Sequence, residues 1–206
     1  MTVAGAMIQS MGDVMRYRPR QSREEATSSM GMVIFLGSWA MLFAAMLFAY
    51  GFVRARLPAW PPEGVPPLPW RLPLGSTLVL ALSSFAYQQG VRRVRKGRVA
   101  GTWPWLAGAS FLGAAFLALQ TVLWMSLVEG GFLPGSAGAF SSVFYGLTAL
   151  HALHALVGVA GVSYVAVQSF AGAYSPARYL PLRLWGLYWH FMAAVWLVMF
   201  ITIFVL

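Results

Sequence analysis

Three histidines, His151, His154 and His190, are the side chains of this sequence best placed to do chemistry inside a hydrophobic medium. A neutral imidazole can ligate a metal or a haem iron, carry a proton, or hydrogen-bond across a helix contact. His151 and His154 stand three residues apart, so on a helix both project toward one side. At about 1.5 Å per residue, His154 falls near the middle of its apolar run and His190 roughly 6 Å from that depth, an awkward but not prohibitive offset for one haem shared between two helices. Ligating histidines normally need a carboxylate or carbonyl to orient the ring, and no carboxylate is near. The favoured reading is therefore structural: each ring bonds across a helix contact, with Tyr145, Thr148, Ser163 or Gln120 as candidate partners. Contact with lipid headgroups or with another subunit is the third reading.

Other chemistry is absent from the sequence. There is no glycine-rich phosphate loop, no nucleophile elbow and no pair of carboxylates. Glu63 and Glu129 are the only acids beyond the amino-terminal segment, and neither falls within an apolar run. The sequence has no cysteine, which excludes disulfides and thiolate metal sites.

The elements that carry the histidines follow from composition. Mean hydropathy is +0.69, and only 9% of residues are charged, against roughly a quarter in soluble domains. A hydrocarbon core of about 30 Å needs about 20 apolar helical residues. Five stretches meet that length: 30–53, 73–91, 104–128, 140–170 and 184–206. The expected fold is an all-α integral membrane protein, a bundle of five transmembrane helices forming a single domain over 30–206. Residues 1–29 mix Arg, Glu, Ser and Gly without a period and are expected to be a mobile cytoplasmic tail. The first apolar run is too long for a signal peptide's core, so it is expected to serve as an uncleaved insertion signal.

Connections are marked by breakers. Pro61, Pro62, Pro66, Pro67 and Pro69 lack amide donors, which predicts an extended external connector over 58–73. The short glycine-rich link 130–139 predicts that the third and fourth helices are antiparallel neighbours. Small residues recur at four-residue spacing, as Ala40 and Ala44, Ala45 and Ala49, Ala86 and Gly90, Ser110 with Ala114 and Ala118, and His154 preceding Gly158; such ridges let helices approach closely. Tyr50, Trp103, Trp105, Trp185, Tyr188 and Trp189 lie near helix ends and are expected to form an interfacial belt.

Net charge is +9, yet its placement argues against nucleic acid. With the amino terminus cytoplasmic, eleven of the fourteen Lys/Arg fall on the inside, and Arg54, Arg56 and Arg71 alone fall outside. That is the positive-inside pattern, which puts the carboxyl terminus outside. The run Arg92 to Arg98 then reads as a topological anchor touching anionic lipid.

Two segments, FYGLTALHALHALVG from Phe144 and YWHFMAAVWLVMF from Tyr188, resemble the most recognisable stretches of subunit III of haem-copper terminal oxidases. Upstream, GMVIFLGSWAMLFAAMLFAYGFVR, LPLGSTLVLALSS ending in Ser83 and Ser84, and LGAAFLALQ ending in Gln120 resemble the family's preceding helices in order, the second of them its Leu-Pro-start, Ser-Ser-centred helix. The resemblance spans about residues 30–206 and fits the five-helix form. It implies a non-redox subunit without haem or copper of its own, those groups being held in partner subunits. It also implies packing on oxidase subunit I beside other oxidase subunits, binding of membrane phospholipid, and support for assembly, turnover stability and proton uptake. The implied location is the bacterial cytoplasmic membrane. To His151, His154, His190, Trp189, Trp196, Gln120, Ser83 and Ser84 it transfers a structural, lipid-contact or subunit-contact role only.

The sequence departs from the family at three positions. Where the family usually has acids, this chain has Trp39, Leu123 and Ala193. Two alternatives stand beside the main reading: a subunit-III-like accessory subunit of a nitric oxide reductase, and, from a different class, a small transporter or stand-alone membrane haem protein. The transporter reading is weakened because the sequence has no internal repeat and no intramembrane carboxylate.

Overall fold

The computed structural model describes the backbone of residues 3–57 and 69–205, with side chains from Arg23 onward. Much of the proline-rich connector, and Glu63 within it, lie outside the described residues. Five helices follow in order: α1 (Val3–Arg56), α2 (Arg71–Arg95), α3 (Trp103–Glu129), α4 (Ala139–Phe170) and α5 (Leu180–Phe200), the last continuing into a π-helical turn at Ile201–Val205. An isolated bridge between Ser175 and Arg178 is the only strand-like pairing among the described residues.

The helix boundaries correct the sequence reading in two places. The first helix begins at Val3, well ahead of the apolar run that starts at residue 30. Helix propagation is cheap once a long helix is nucleated. Near the join, Thr27 and Ser29 hydroxyls donate to the carbonyls of Arg23 and Glu25 four residues back. The last helix begins at Leu180 rather than 184, with Pro181 in its first turn. Proline is tolerated there because that turn's amides have no intrahelical acceptor.

Four helical stretches are long and apolar enough to cross a membrane: Arg23–Arg56, Trp103–Glu129, Ala139–Phe170 and Leu180–Val205. The fifth expected span, α2, falls short in composition because it carries Ser76, Thr77, Ser83, Ser84, Tyr87, Gln88 and Gln89. Its uncharged stretch Leu72–Val91 still reaches about 30 Å at 1.5 Å per residue.

The chain divides into two compact units, Met1–Ser38 and Trp39–Leu206. The first is a single helical segment. In the second, α2 packs against α3 and α5, α3 against α4, and α4 against α5, so four helices close a ring. The adjacency of α3 and α4 agrees with the short link between them. From Trp39 onward α1 lies along α4: Phe43 meets both His151 and His154, and Tyr50 meets Phe140. At its end Arg54 Nη1 donates to the Thr202 carbonyl at 3.4 Å.

Aromatic rings of α5 fill slots left by glycines. A Cβ on Gly113 of α3 would lie 2.9 Å from Trp189 Cη2, and one on Gly158 of α4 would lie 2.8 Å from Trp189 Cε3. A Cβ on Gly161 would run into the Trp185 ring. The expected small-residue ridges are thus used selectively. Gly90 (against Leu106), Gly158 and Ser110 lie at contacts, whereas Ala40, Ala44, Ala45, Ala114 and Ala118 are exposed. The expected aromatic belt is corrected likewise: Trp103 and Trp105 are exposed, but Tyr50, Tyr188 and Trp189 are buried. A large ring facing a glycine gains more contact inside the bundle than at its rim.

Gly158→Ala is expected to displace Trp189 and destabilise the bundle by about 1–3 kcal/mol. Gly75→Ala, where a Cβ meets open space, is expected to be neutral or mildly stabilising. Unfolding midpoints of the two variants in detergent check the contrast.

Candidate functional site: a polar seam on the second helix

The polar residues that lower the hydropathy of α2 occur in adjacent pairs, Ser76 with Thr77, Ser83 with Ser84, and Tyr87 with Gln88. Spacings of seven and then four residues put all three pairs on one face of a helix. Within each pair the side chains diverge enough to reach different neighbours.

At the first pair, Gln120 Nε2 of α3 donates to Ser76 Oγ at 3.0 Å, and Trp196 Nε1 of α5 donates to Thr77 Oγ1 at 2.9 Å. At the second, Ser83 donates to the Ala109 carbonyl of α3 at 2.6 Å and accepts from Trp189 Nε1 at 3.2 Å. Ser84 Oγ lies 2.5 Å from His190 Nδ1, and Gln88 Oε1 lies 3.1 Å from His190 Nε2. Because an amide oxygen only accepts, His190 carries its proton on Nε2 and Nδ1 accepts from the Ser84 hydroxyl. Tyr87 donates to the Leu182 carbonyl at 2.7 Å. Every one of these bonds leaves α2 for α3 or α5.

The other two histidines have different surroundings. His154 Nδ1 bonds to the Leu150 carbonyl of its own helix at 2.7 Å, and Tyr188 donates to the His154 carbonyl at 2.9 Å. His151 is 1% exposed, and both of its ring nitrogens lack a partner. Rings of Phe43, Phe116 and Trp196 surround it at centroid distances of 6.1, 6.0 and 5.3 Å. The expected partners are therefore corrected. Tyr145 donates to the Phe132 carbonyl, Thr148 to the Phe144 carbonyl, Ser163 pairs with Ser110, and Gln120 serves Ser76. Short side chains on a helix reach the carbonyl one turn back more readily than a ring on the same helix.

Haem between the fourth and fifth helices does not fit this donor set. Both His190 nitrogens bond to α2 and His151 is enclosed by aromatic rings, so no second histidine on the facing helix is turned toward the one free nitrogen of His154. Among the described residues no three His, Cys, Asp or Glu side chains converge.

A cavity of about 410 Å³ opens between α2 and α5. Thr77, Leu80, Ser84, Phe85 and Ala193 line it together with His190. It suits an apolar chain more than a polar substrate, since the His190 and Gln88 pair is its main polar feature. The three positions where acids were expected have separate fates. The Trp39 ring meets His154 edge-on at 3.7 Å between centroids, Leu123 is fully buried in the core, and Ala193 lines the cavity beside His190. Thus two of the three stand next to histidines, with no charge to pair.

Ser83, Ser84, Gln120, Trp189, Trp196 and His190 are brought together by this seam, while His151 and His154 are not part of it. Ser76, Thr77, Tyr87 and Gln88 complete it and were missed by the sequence reading. Their signal was the paired spacing on the least apolar helix.

Residues 19–206 match the family described as Cytochrome c oxidase subunit III. The chain belongs to that family. Its members are subunits of cytochrome c oxidase, an oxidoreductase complex. The cytochrome c oxidase subunit 3 of Synechocystis sp. is 34% identical over 177 residues, which is 85% of this chain and 74% of that protein. A probable cytochrome c oxidase subunit 3 of Nocardia farcinica is also 34% identical over 177 residues, covering 85% of this chain and 86% of the relative. The cytochrome c oxidase subunit 3 of Thermostichus vulcanus is 29% identical over 180 residues, covering 86% of each. The family match begins within α1 and runs through α5, so the seam and all three histidines fall inside it. The chain is a multi-pass membrane protein of the subunit III type.

Two substitutions separate the bonded from the unbonded histidine. His190→Leu, which removes two inter-helix bonds, is expected to lower stability by about 1–2 kcal/mol, whereas His151→Leu is expected to be neutral or stabilising. Ser83→Ala, leaving Trp189 Nε1 unpaired, is expected to cost about 1 kcal/mol. Denaturant titration of helicity in detergent reads all three.

Proposed function

We propose that this chain is the non-redox subunit III of a bacterial haem-copper terminal oxidase, seated in the cytoplasmic membrane and packed on subunit I. The observation that carries the reading is the match over 19–206, which spans the described bundle from within α1 to its end. The relatives' names favour cytochrome c as electron donor and an oxidase over a nitric oxide reductase. Haem and copper belong to the partner subunits in this reading, and the chain itself holds neither.

All five helices cross the membrane, α2 included, because its polar groups are spent on neighbours and present little hydrogen-bonding demand to lipid. The amino terminus is cytoplasmic and the carboxyl terminus outside, which places Arg92 to Arg98 on the inner side and Arg54, Arg56 and Arg71 on the outer side. Exposed apolar side chains such as Leu78, Phe85, Phe111 and Phe170 supply the surface for lipid and for subunit I. An acyl chain of a bound phospholipid lies in the cavity between α2 and α5. The subunit supports assembly, turnover stability and proton uptake by shape and lipid retention, since no carboxylate stands within the spans.

Purification of the tagged chain from its native membrane in mild detergent is expected to recover a larger haem-containing subunit with cytochrome c oxidase activity. Recovery of the chain without any haem-containing partner, under conditions that keep lipid bound, would contradict the proposal.

A further inference from the structure

At the inner end of α2 the chain turns back through 96–102 into α3. Gly97 and Gly101 take positive φ values of 73° and 76°, a region costly for side-chain-bearing residues. The turn is held by Arg98 N donating to the Arg93 carbonyl at 2.9 Å and by Thr102 Oγ1 donating to the Arg98 carbonyl at 3.1 Å. Its effect is to bring Arg98 to the side of the helix that carries Arg92, Arg93 and Lys96. These four cations, with Gln89 and Trp105, line a cavity of about 220 Å³.

Two features separate this cavity from an ordinary solvated basic face. The first is an orphaned donor. Arg93 Nη2 donates to the Ala100 carbonyl at 3.3 Å, which fixes the guanidinium, yet its Nε is buried without a partner. A buried guanidinium donor left unmade costs more than a typical neutral hydrogen bond returns. The second is the absence of counter-charge. Within the unit Trp39–Leu206 the only described carboxylate side chain is Glu129, at the opposite end of α3 and about 39 Å away at 1.5 Å per residue. Four cations held around one cavity by the backbone repel one another unless an anion enters.

Guanidinium groups match the oxygens of a phosphate ester in fork geometry, and lysine adds a point charge. Trp105, 39% exposed, marks the depth of the membrane interface beside the cavity. Basic pockets between membrane helices on the cytoplasmic side suit lipid headgroups.

We propose that the cavity lined by Arg92, Arg93, Lys96, Arg98, Gln89 and Trp105 is a binding site for the phosphate of an anionic phospholipid. The assignment rests on the membrane-spanning reading of α2 and α3, and is independent of which subunit the chain packs against. It goes beyond a general attraction of basic residues to a charged surface, because one guanidinium with a buried, unpartnered Nε and one closed turn define a single seat.

The test uses the intact complex, or the full chain if no partner is recovered, in nanodiscs of phosphatidylcholine doped with phosphatidylglycerol. Native mass spectrometry counts retained lipids and identifies their class. The unaltered protein is expected to retain an anionic lipid that phosphatidylcholine does not replace. Arg93→Gln is expected to weaken that retention about tenfold, the loss of one charge-assisted contact. The exposed pair Lys96→Gln and Arg98→Gln, which leaves the backbone bonds of the turn in place, is expected to do the same if Arg93→Gln fails to fold. Arg56→Gln and Arg71→Gln, at the other membrane face, are expected to leave retention unchanged. Equal retention of phosphatidylcholine, or equal loss in the Arg56 and Arg71 variants, would overturn the site. Displacement of the lipid by inorganic phosphate alone would overturn the lipid as the source of the phosphate. Co-recovery of a haem subunit is scored separately, so failure of the lipid site and failure of the oxidase assignment are distinguishable.

Discussion

A polar side chain on a membrane helix must find its partner within the protein, on its own helix or a neighbour, because lipid offers none. In this protein that constraint falls on α2. Its three polar pairs reach α3 through Gln120 and the Ala109 carbonyl, and α5 through Trp189, Trp196, His190 and the Leu182 carbonyl. Such bonds are individually modest in membranes, on average about 0.6 kcal/mol. Their effect here is specificity: six side chains that must all be satisfied together fix the rotation and the axial shift of α2 relative to both neighbours.

Trp189 joins that seam to the rest of the bundle. Its indole nitrogen reaches Ser83 on α2, while its ring fills the space opposite Gly113 on α3 and Gly158 on α4. One side chain of α5 therefore touches all three other helices of the ring. Close approach at glycines gives dispersion contact that lipid-facing surfaces cannot supply, which is how apolar helices associate where the hydrophobic effect is silent between them. The same logic explains why exposed alanines at four-residue spacing on α1 and α3 take no part. Small residues permit approach, but only a ring or ridge opposite makes use of it.

The three histidines, alike in the sequence, do three different things. His190 closes a chain from Ser84 to Gln88 and lines the cavity between α2 and α5. His154 turns to its own backbone and takes the Trp39 ring against its face. His151 is packed as if it were an aromatic hydrocarbon, with neither nitrogen engaged. Trp39 beside His154 and Ala193 beside His190 are both neutral, so neither ring faces a charge there.

The amino-acid sequence by itself determined the helices, their approximate limits, the want of charge within them and the family. Runs of about 20 uncharged residues between prolines, glycines and arginines leave few other structures open in lipid. It also marked Ser83, Ser84, Gln120, Trp189, Trp196 and the histidines as the polar inventory of the bundle. Tertiary structure alone decided who pairs with whom. It moved Trp189 and Tyr188 from an expected interface into the core, gave His190 rather than His151 the hydrogen bonds, and recruited Ser76, Thr77, Tyr87 and Gln88. The physical reason is geometric. Periodicity in a sequence assigns residues to a face of one helix, whereas pairing depends on the rotation and height of two helices at once, and those are set by the summed packing of every ring and glycine between them.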